Sequence, residues 1–396
     1  MGADHRIMPQ VACSGARVQR RGNRSSDITN CKQKAALKLG NYRPELDGLR
    51  ALAIGLVTLN HVLHDHFPGG FVGVDIFFVL SGYLITSILI EESARNNCIN
   101  LRQFYFRRML RLMPALIGML ALYATLITTY AIWAHKIDFA KVHLWAAAAA
   151  ASYLMNWNLA LDIGPPGFLT HTWSLAIEEQ FYLLWPLILI LATRWMSKTH
   201  FIMLCVMVLL MCSIWRAYLW LGGSGPMRIY VGFDTRFDNL LIGCLLALVP
   251  IHLGWRETMA QYVWLPLTAM MAFAIWLKWD SNHYQLGMIM TAVCSAWILV
   301  AVLTDPTSRL AKTLQLRPIN YLGRISYAYY LWHFPIWLCL GWFLAGSIYT
   351  RAALTVAIAV SVAAVSYHWL ELPARRLKGT SNNAGSTRRN VSVRES

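Results

Sequence analysis

RPELDGLRALAIGLVTLNHVLHDHFPGGFVGVDIFFVLSGY, residues 43–83, decides the fold. It reads as two apolar helices joined by a Pro68-Gly69-Gly70 turn, and they carry residues that an ordinary membrane span does not. Arg50 and His61 are eleven positions apart. At ~100° and ~1.5 Å per residue that spacing sets them on one helix face, ~16 Å apart in height. Asp75 lies near the start of the second helix, towards the His61 end of the hairpin. Asp47 stands to cap the first helix and to pair with Arg50 three residues on. Ionisable groups at membrane depth are costly and mark function. Snorkelling at a helix end would account for Arg50 alone, not for all three in one hairpin.

The rest of the chain agrees with a membrane protein. Hydrophobic residues make up 57% of the 396 and charged residues 14%, far less charge than a soluble protein of this length carries. The net charge of +16 does not point to nucleic acid. Its excess sits in tails and short loops between apolar runs, the pattern of cytoplasmic loops beside anionic lipid. The eight cysteines show no metal spacing and read as reduced, with no disulfide framework and no zinc.

Apolar segments fall at 48–66, 71–91, 112–134, 142–157, 175–193, 201–221, 236–250, 261–278, 284–304, 324–346 and 350–370. Lys and Arg cluster before Asp47 (nine), in 92–111 (five), in 304–324 (four) and after Glu371 (six). All four clusters are assigned to the cytoplasm. An even number of crossings must then separate 92–111 from 304–324, so one of seven segments there does not cross. Segment 142–157, short and holding Asn156, is read as re-entrant or interfacial. The expected fold is an all-α polytopic bundle of about ten transmembrane helices with both termini cytoplasmic. Residues 1–42 form a polar basic tail without an apolar signal region, read as disordered. Residues 43–373 form the membrane domain and 374–396 a second basic tail.

Three constellations could do chemistry. Arg50, His61 and Asp75 are the first: a neutral imidazole can act as general base on a hydroxyl, with a carboxylate to orient it. His64 and His66 in the adjoining turn are rivals. The second is FYFRRMLRLMP, 104–114, where a helix displays Arg107 and Arg111 on one face beside Arg108. Clustered guanidinium forks suit phosphate groups, although on this motif alone a positive-inside anchor on lipid headgroups is the stronger reading. HTWSLAIEEQFYLLWP, 171–186, is the third. Ser174 and Glu178 are four apart there, and Ser174 can instead cap the helix. Glu178 at the mouth of an apolar span needs a partner and would add acid–base or hydrogen-bonding capacity. Weaker signals are FDTRFDNLLIG, 233–243, with Asp234, Arg236 and Asp238 read as an ion-pair cluster, and ISYAYYLWHFP, 325–335, with His333.

In order, RPELDGLRA followed by His61, GVDIFFVLSGY, FYFRRMLRLMP, WSLAIEEQFYLLWP and SYAYYLWHFP resemble the blocks of the acyltransferase-3 family of integral membrane O-acyltransferases. Its members include bacterial O-acetylases of O-antigen and exopolysaccharide. The likeness runs from Tyr42 to Pro373. It implies transfer of an acyl group, usually acetyl, from cytosolic acyl-CoA to a hydroxyl of a carbohydrate or glycolipid in a bacterial inner membrane. The donor is a substrate, and no permanently bound cofactor is implied. The resemblance matches His61 to the family's catalytic histidine, at the end of an Arg-ten-residues-His pattern that begins at Arg50. It matches Arg108 and Arg111 to the acyl-CoA side, with Asp75, Ser81 and Glu178 in other signature blocks. Acyl transfer through a covalent His61 intermediate and direct attack by the hydroxyl both stay open.

Physics alone also suits a transporter or flippase for an anionic or glycan lipid. The lack of an internal inverted repeat and of Gly/Pro-broken helix pairs in the sequence counts against it. The residues do not say what oligomer forms.

Overall fold

The computed structural model describes residues 42–278, 284–344 and 346–376. Apart from Tyr42 and residues 374–376, the two basic tails lie outside them. The protein is all-helical, 84% helix, without a strand among the described residues. In chain order the helices are α1 (Pro44–Val62), α2 (Val72–Asn96), α3 (Leu101–Trp133), α4 (Ile137–Ala151) and α5 (Met155–Ala160). A 3-10 turn, Gly167–Thr172, leads into α6 (Trp173–Trp195), followed by α7 (Lys198–Leu221), α8 (Pro226–Val231) and α9 (Phe233–Leu248). Then come α10 (Leu253–Gln261), α11 (Trp264–Trp276), α12 (Tyr284–Thr304), α13 (Arg309–Leu314), α14 (Arg317–Arg324), α15 (Ser326–Phe343) and α16 (Ile348–Ser366).

Among the described residues, six helical stretches are long and apolar enough to cross a membrane, and a seventh counts if α10 and α11, bent by 53° at their junction, form one broken span. The outward surface of these helices is apolar. On α7, Met203, Met207, Leu210 and Ile214 are all more than half exposed, as lipid-facing residues are. The α10–α11 break has Pro266 just inside the second piece. It is a broken pair that the sequence did not reveal. Helix α4 is 15 residues, ~22 Å long, short of the ~30 Å hydrocarbon core.

Two boundaries differ from expectation for local reasons. α1 begins at Pro44, with Arg43 at the cap position, because proline's fixed φ and missing N–H suit the first helical residue. Asp47 therefore lies inside the first turn rather than at the cap. It still accepts from Arg50 at 2.6 Å and from the Tyr42 hydroxyl at 2.8 Å. α3 begins at Leu101, eleven residues before the apolar run, because the Asn100 side chain caps it by accepting from the Gln103 amide. The arginine motif is thus the first three turns of a 33-residue helix. Cys98, in the α2–α3 connection, is disulfide-bonded, against the expectation of eight reduced thiols. It sits in a partly exposed link rather than an apolar run. Cys205, Cys212, Cys244, Cys294 and Cys339 are free.

The chain folds as two compact units that interleave along the sequence. The first holds α1, α2, α5 and α6 to α14. α2 is its central element, packed on α1, α9 and α12. α2 and α9 cross at paired glycines: a Cβ on Gly82 would strike the Leu240 carbonyl, and one on Gly243 the Val79 carbonyl. Small residues at such crossings let membrane helices approach at backbone distance. α1 is seated on α13 and α14 in the same way, through Gly48 on Leu314 and Gly323 on the Asp47 carbonyl. The second unit holds α3, α4, the 3-10 turn up to His171, α15, α16 and the short C-terminal turn of helix after α16.

Candidate functional site

In the first unit, α1 carries Arg50 in its second turn and His61 in its last, on the single helix their spacing requires. The turn after His61 is held by Asn60, whose side-chain amide donates to the Phe67 and Pro68 carbonyls at 3.0 and 2.9 Å. Gly69 donates to the Ala274 carbonyl at 3.0 Å, tying this turn to the end of α11. His61 is partly exposed, whereas His64 and His66 are exposed outright. Asn60 reaches His64 at 3.3 Å.

Asp75 is in the first turn of α2 and 1% exposed. It forms an ion pair with Arg236 of α9. It also accepts from the Asn239 side-chain amide at 2.7 Å and the Thr291 hydroxyl of α12 at 2.5 Å. A cation, an amide and a hydroxyl, rather than an imidazole, are therefore its partners. Arg236 is 0% exposed. Its guanidinium lies 5.3 Å from the Phe78 ring centroid and 5.0 Å from that of Tyr230, a desolvated cation on two aromatic faces.

Asp234, Arg236 and Asp238 each form an ion pair with a residue outside their own stretch. Arg228 holds Asp234 at 2.6 Å, Arg236 goes to Asp75, and Arg216 of α7 pairs with Asp238 at 2.8 Å. The physical reason is helical: residues two apart point to different faces. Sequence reasoning missed Arg216, Asn239 and Thr291 as members of this buried network. Arg216, an arginine inside an apolar run, was the signal available.

Glu178 of α6 accepts from the Ser81 hydroxyl of α2 at 2.6 Å, and Ser81 in turn accepts from the Tyr182 hydroxyl at 2.9 Å. Glu178 and Tyr182 are four apart and share the α6 face. The result is a directed chain, Tyr182 to Ser81 to Glu178, ending on a carboxylate. Ser174 is inside the first turn of α6, with Thr172 at the cap position.

In the second unit, α3 carries Arg107, Arg108 and Arg111, all partly exposed. The Arg108 guanidinium stands 5.9 Å from the Phe104 ring centroid. Two buried histidine sites accompany them. Tyr123 and His143 Nδ1 are 2.5 Å apart, a pair the sequence reading did not single out. His171 Nε2 meets the Leu331 carbonyl at 3.3 Å, and its ring lies 5.6 Å from that of His333. His333 is fully buried, with Nδ1 2.8 Å from the Tyr330 carbonyl. Among the described residues no group of His, Cys, Asp and Glu is placed to hold a metal ion.

A family model described as an acyltransferase domain matches residues 43–369. The chain belongs to this family. It is similar to the peptidoglycan O-acetyltransferase OatA of Listeria monocytogenes serovar 1/2a. The two are 35% identical over 355 residues, covering 85% of this chain and 56% of the relative. It is also similar to the O-acetyltransferase OatA of Staphylococcus aureus (strain NCTC 8325 / PS 47). That pair is 32% identical over 371 residues, covering 88% of this chain and 60% of the relative. The chain thus spans a little over half the length of these curated relatives. No solved structure matches it. It is a multi-pass integral membrane protein of the acyltransferase family.

Proposed function

We propose that this chain is a membrane O-acyltransferase. It moves an acyl group, acetyl first among candidates, from cytosolic acyl-CoA to a hydroxyl of a cell-envelope glycan in a bacterial inner membrane. The observation that carries this is the family match across residues 43–369. The Listeria relative's name favours peptidoglycan as acceptor, ahead of O-antigen or exopolysaccharide. His61 takes the proton of the acceptor hydroxyl, or takes the acyl group itself before passing it on. Arg108 and Arg111, with Arg107 beside them, bind the phosphates of CoA, and Arg50 supports the donor. Asp75 acts from behind, through its ion pair, to hold the hairpin that presents His61. Glu178, reached by Ser81 and Tyr182, supplies a hydrogen-bonding carboxylate for the substrate or a proton.

Topology is set by charge. α1 carries more charge than an ordinary span, α9 is only 16 residues long, and α15 is rich in Tyr and Trp. Added to the six or seven apolar spans, they support a reading of ten crossings with both termini and the four basic clusters cytoplasmic. Donor chemistry then belongs to the cytoplasmic helix ends and acceptor chemistry to the outer ends.

The test uses purified protein in lipid nanodiscs with radiolabelled acetyl-CoA, following CoA release and label transfer to peptidoglycan, lipopolysaccharide and exopolysaccharide fractions. Wild type labels one fraction, His61→Ala labels none, and Arg111→Ala needs about tenfold more acetyl-CoA for the same rate, as loss of one charge-assisted contact requires. Full transfer by His61→Ala removes the histidine from the mechanism. Substrate movement with no CoA release from any donor makes the protein a transporter.

A further inference from the structure

α16 does not end as an α-helix. Residues Tyr367–Glu371 form a π turn, whose extra residue rotates the chain beyond it by ~100° relative to an unbroken helix. The residue delivered by that turn, Glu371, is 0% exposed. Its Oε2 accepts from Arg375 at 2.6 Å. The Arg375 guanidinium also lies 5.3 Å from the Tyr367 ring centroid, so it is held on two sides. Glu371 Oε1 is buried too and has no hydrogen-bond partner. A buried carboxylate oxygen left unmet is costly, and such an atom in a native fold calls for an explanation.

The neighbour that supplies one is α3. The Leu370 side chain occupies the space beside Gly118 that a Cβ would need, so α3 and the π turn meet there. Two turns earlier on α3, Arg111 lies within electrostatic reach of Glu371. One carboxylate therefore lies between a fixed arginine that satisfies half of it and an arginine of the cluster.

We propose that Glu371 is the internal counter-ion of the α3 arginine cluster: without ligand it draws on Arg111, and an incoming anion must compete with it. Glu371 thereby sets how much charge a ligand needs. A polyphosphate such as the pyrophosphate of a nucleotide-linked donor can displace it, and a single weakly charged anion cannot. The proposal rests on the reading of Arg108 and Arg111 as the donor's phosphate site. It adds that the site is gated by charge number from a residue on another helix.

The experiment measures binding of pyrophosphate and of inorganic phosphate to full-length protein in nanodiscs by calorimetry. It compares wild type, Glu371→Gln, Arg111→Ala and the double variant. Glu371→Gln keeps the shape and removes the competing charge. It is expected to bind pyrophosphate about tenfold more tightly, as loss of a nearby like charge allows at intermediate dielectric, and to gain measurable binding of inorganic phosphate. The double variant should lose both gains. Equal or weaker binding by Glu371→Gln, alongside weakened binding in Arg111→Ala, overturns the counter-ion role and leaves the phosphate site standing. Unchanged binding in Arg111→Ala overturns the phosphate site and the counter-ion role together. Should Glu371→Gln fail to assemble, Arg375→Gln reads the same relationship in reverse. With its fixed partner gone, Glu371 claims Arg111 more fully and pyrophosphate binding falls, whereas unchanged binding overturns the proposal.

Discussion

Asp75 and Arg236 form an ion pair closed to solvent on both sides, 1% and 0% exposed. The pair joins α2 to α9, and the Thr291 hydroxyl adds α12. Three helices thus converge on one carboxylate of the hairpin that carries His61. Removing one member of such a pair strands the other charge in a dry interior. Asp75→Ala is therefore expected to destabilise the protein by about 3–5 kcal/mol. His61→Ala, at a partly exposed position, should stay within about 1 kcal/mol of wild type. Thermal or chemical unfolding in detergent, monitored by tryptophan fluorescence, separates the two. Equal stability of Asp75→Ala and wild type would mean that the pair does not hold the helices.

The glycine crossing sets the distance that this pair needs. Gly243→Val inserts three carbons against the Val79 carbonyl of α2 and should cost about 1–3 kcal/mol by overpacking. Because the crossing governs the approach of α9 to α2, activity should fall in parallel with stability. A variant with wild-type melting and wild-type transfer would show that the helices adjust elsewhere.

Ser81 stands between Tyr182 and Glu178 in a chain of hydroxyls. Ser81→Ala removes a hydrogen bond to a charged group, an interaction of about 1.5–3 kcal/mol. If the carboxylate acts in transfer, kcat/KM should drop roughly 10- to 100-fold. Ser81→Thr keeps the hydroxyl and should recover most of the rate. Similar rates in Ser81→Ala and wild type would confine the chain to packing.

Tyr123 and His143 make the analogous pair in the second unit. Tyr123→Phe deletes the hydroxyl and leaves a buried ring nitrogen short of a partner, which costs about 1–3 kcal/mol. The double variant Tyr123→Phe with His143→Leu should recover part of that loss. A double-mutant cycle in denaturant with zero coupling energy would show that the contact contributes nothing.

Much of this architecture is legible in the residues alone. Apart from the early start of α3, apolar runs located the long helices to within a few positions, and the Asp47–Arg50 pair follows from a spacing of three. The start of α3 was also written locally, in Asn100 and Gln103, but its signal was masked by five charges that look like a loop. Pairings between distant segments were not legible. Nothing in the spacing of Arg236 says that it meets Asp75 rather than Asp234 or Asp238. Only the helical angle between neighbours two apart argues against the local choice. Ser81 and Glu178 each stand out in their own stretches, yet the bond between them needs α2 and α6 to pack first. The π turn at 367–371 has no sequence period of its own.

The interleaving of the two units bears on how the chain is made. α3 and α4 emerge from the ribosome early, but α15 and α16, which complete their unit, arrive only after the whole of α6 to α14. Tyr123 can meet His143 as soon as α4 is made, whereas the packing of α3 on α15 and on the helical turn after α16 must wait for the last helices. Assembly of that unit is completed only when its last two helices are made, and until then the part of α3 that meets them stays uncovered. No pair of cuts in the chain releases either unit whole.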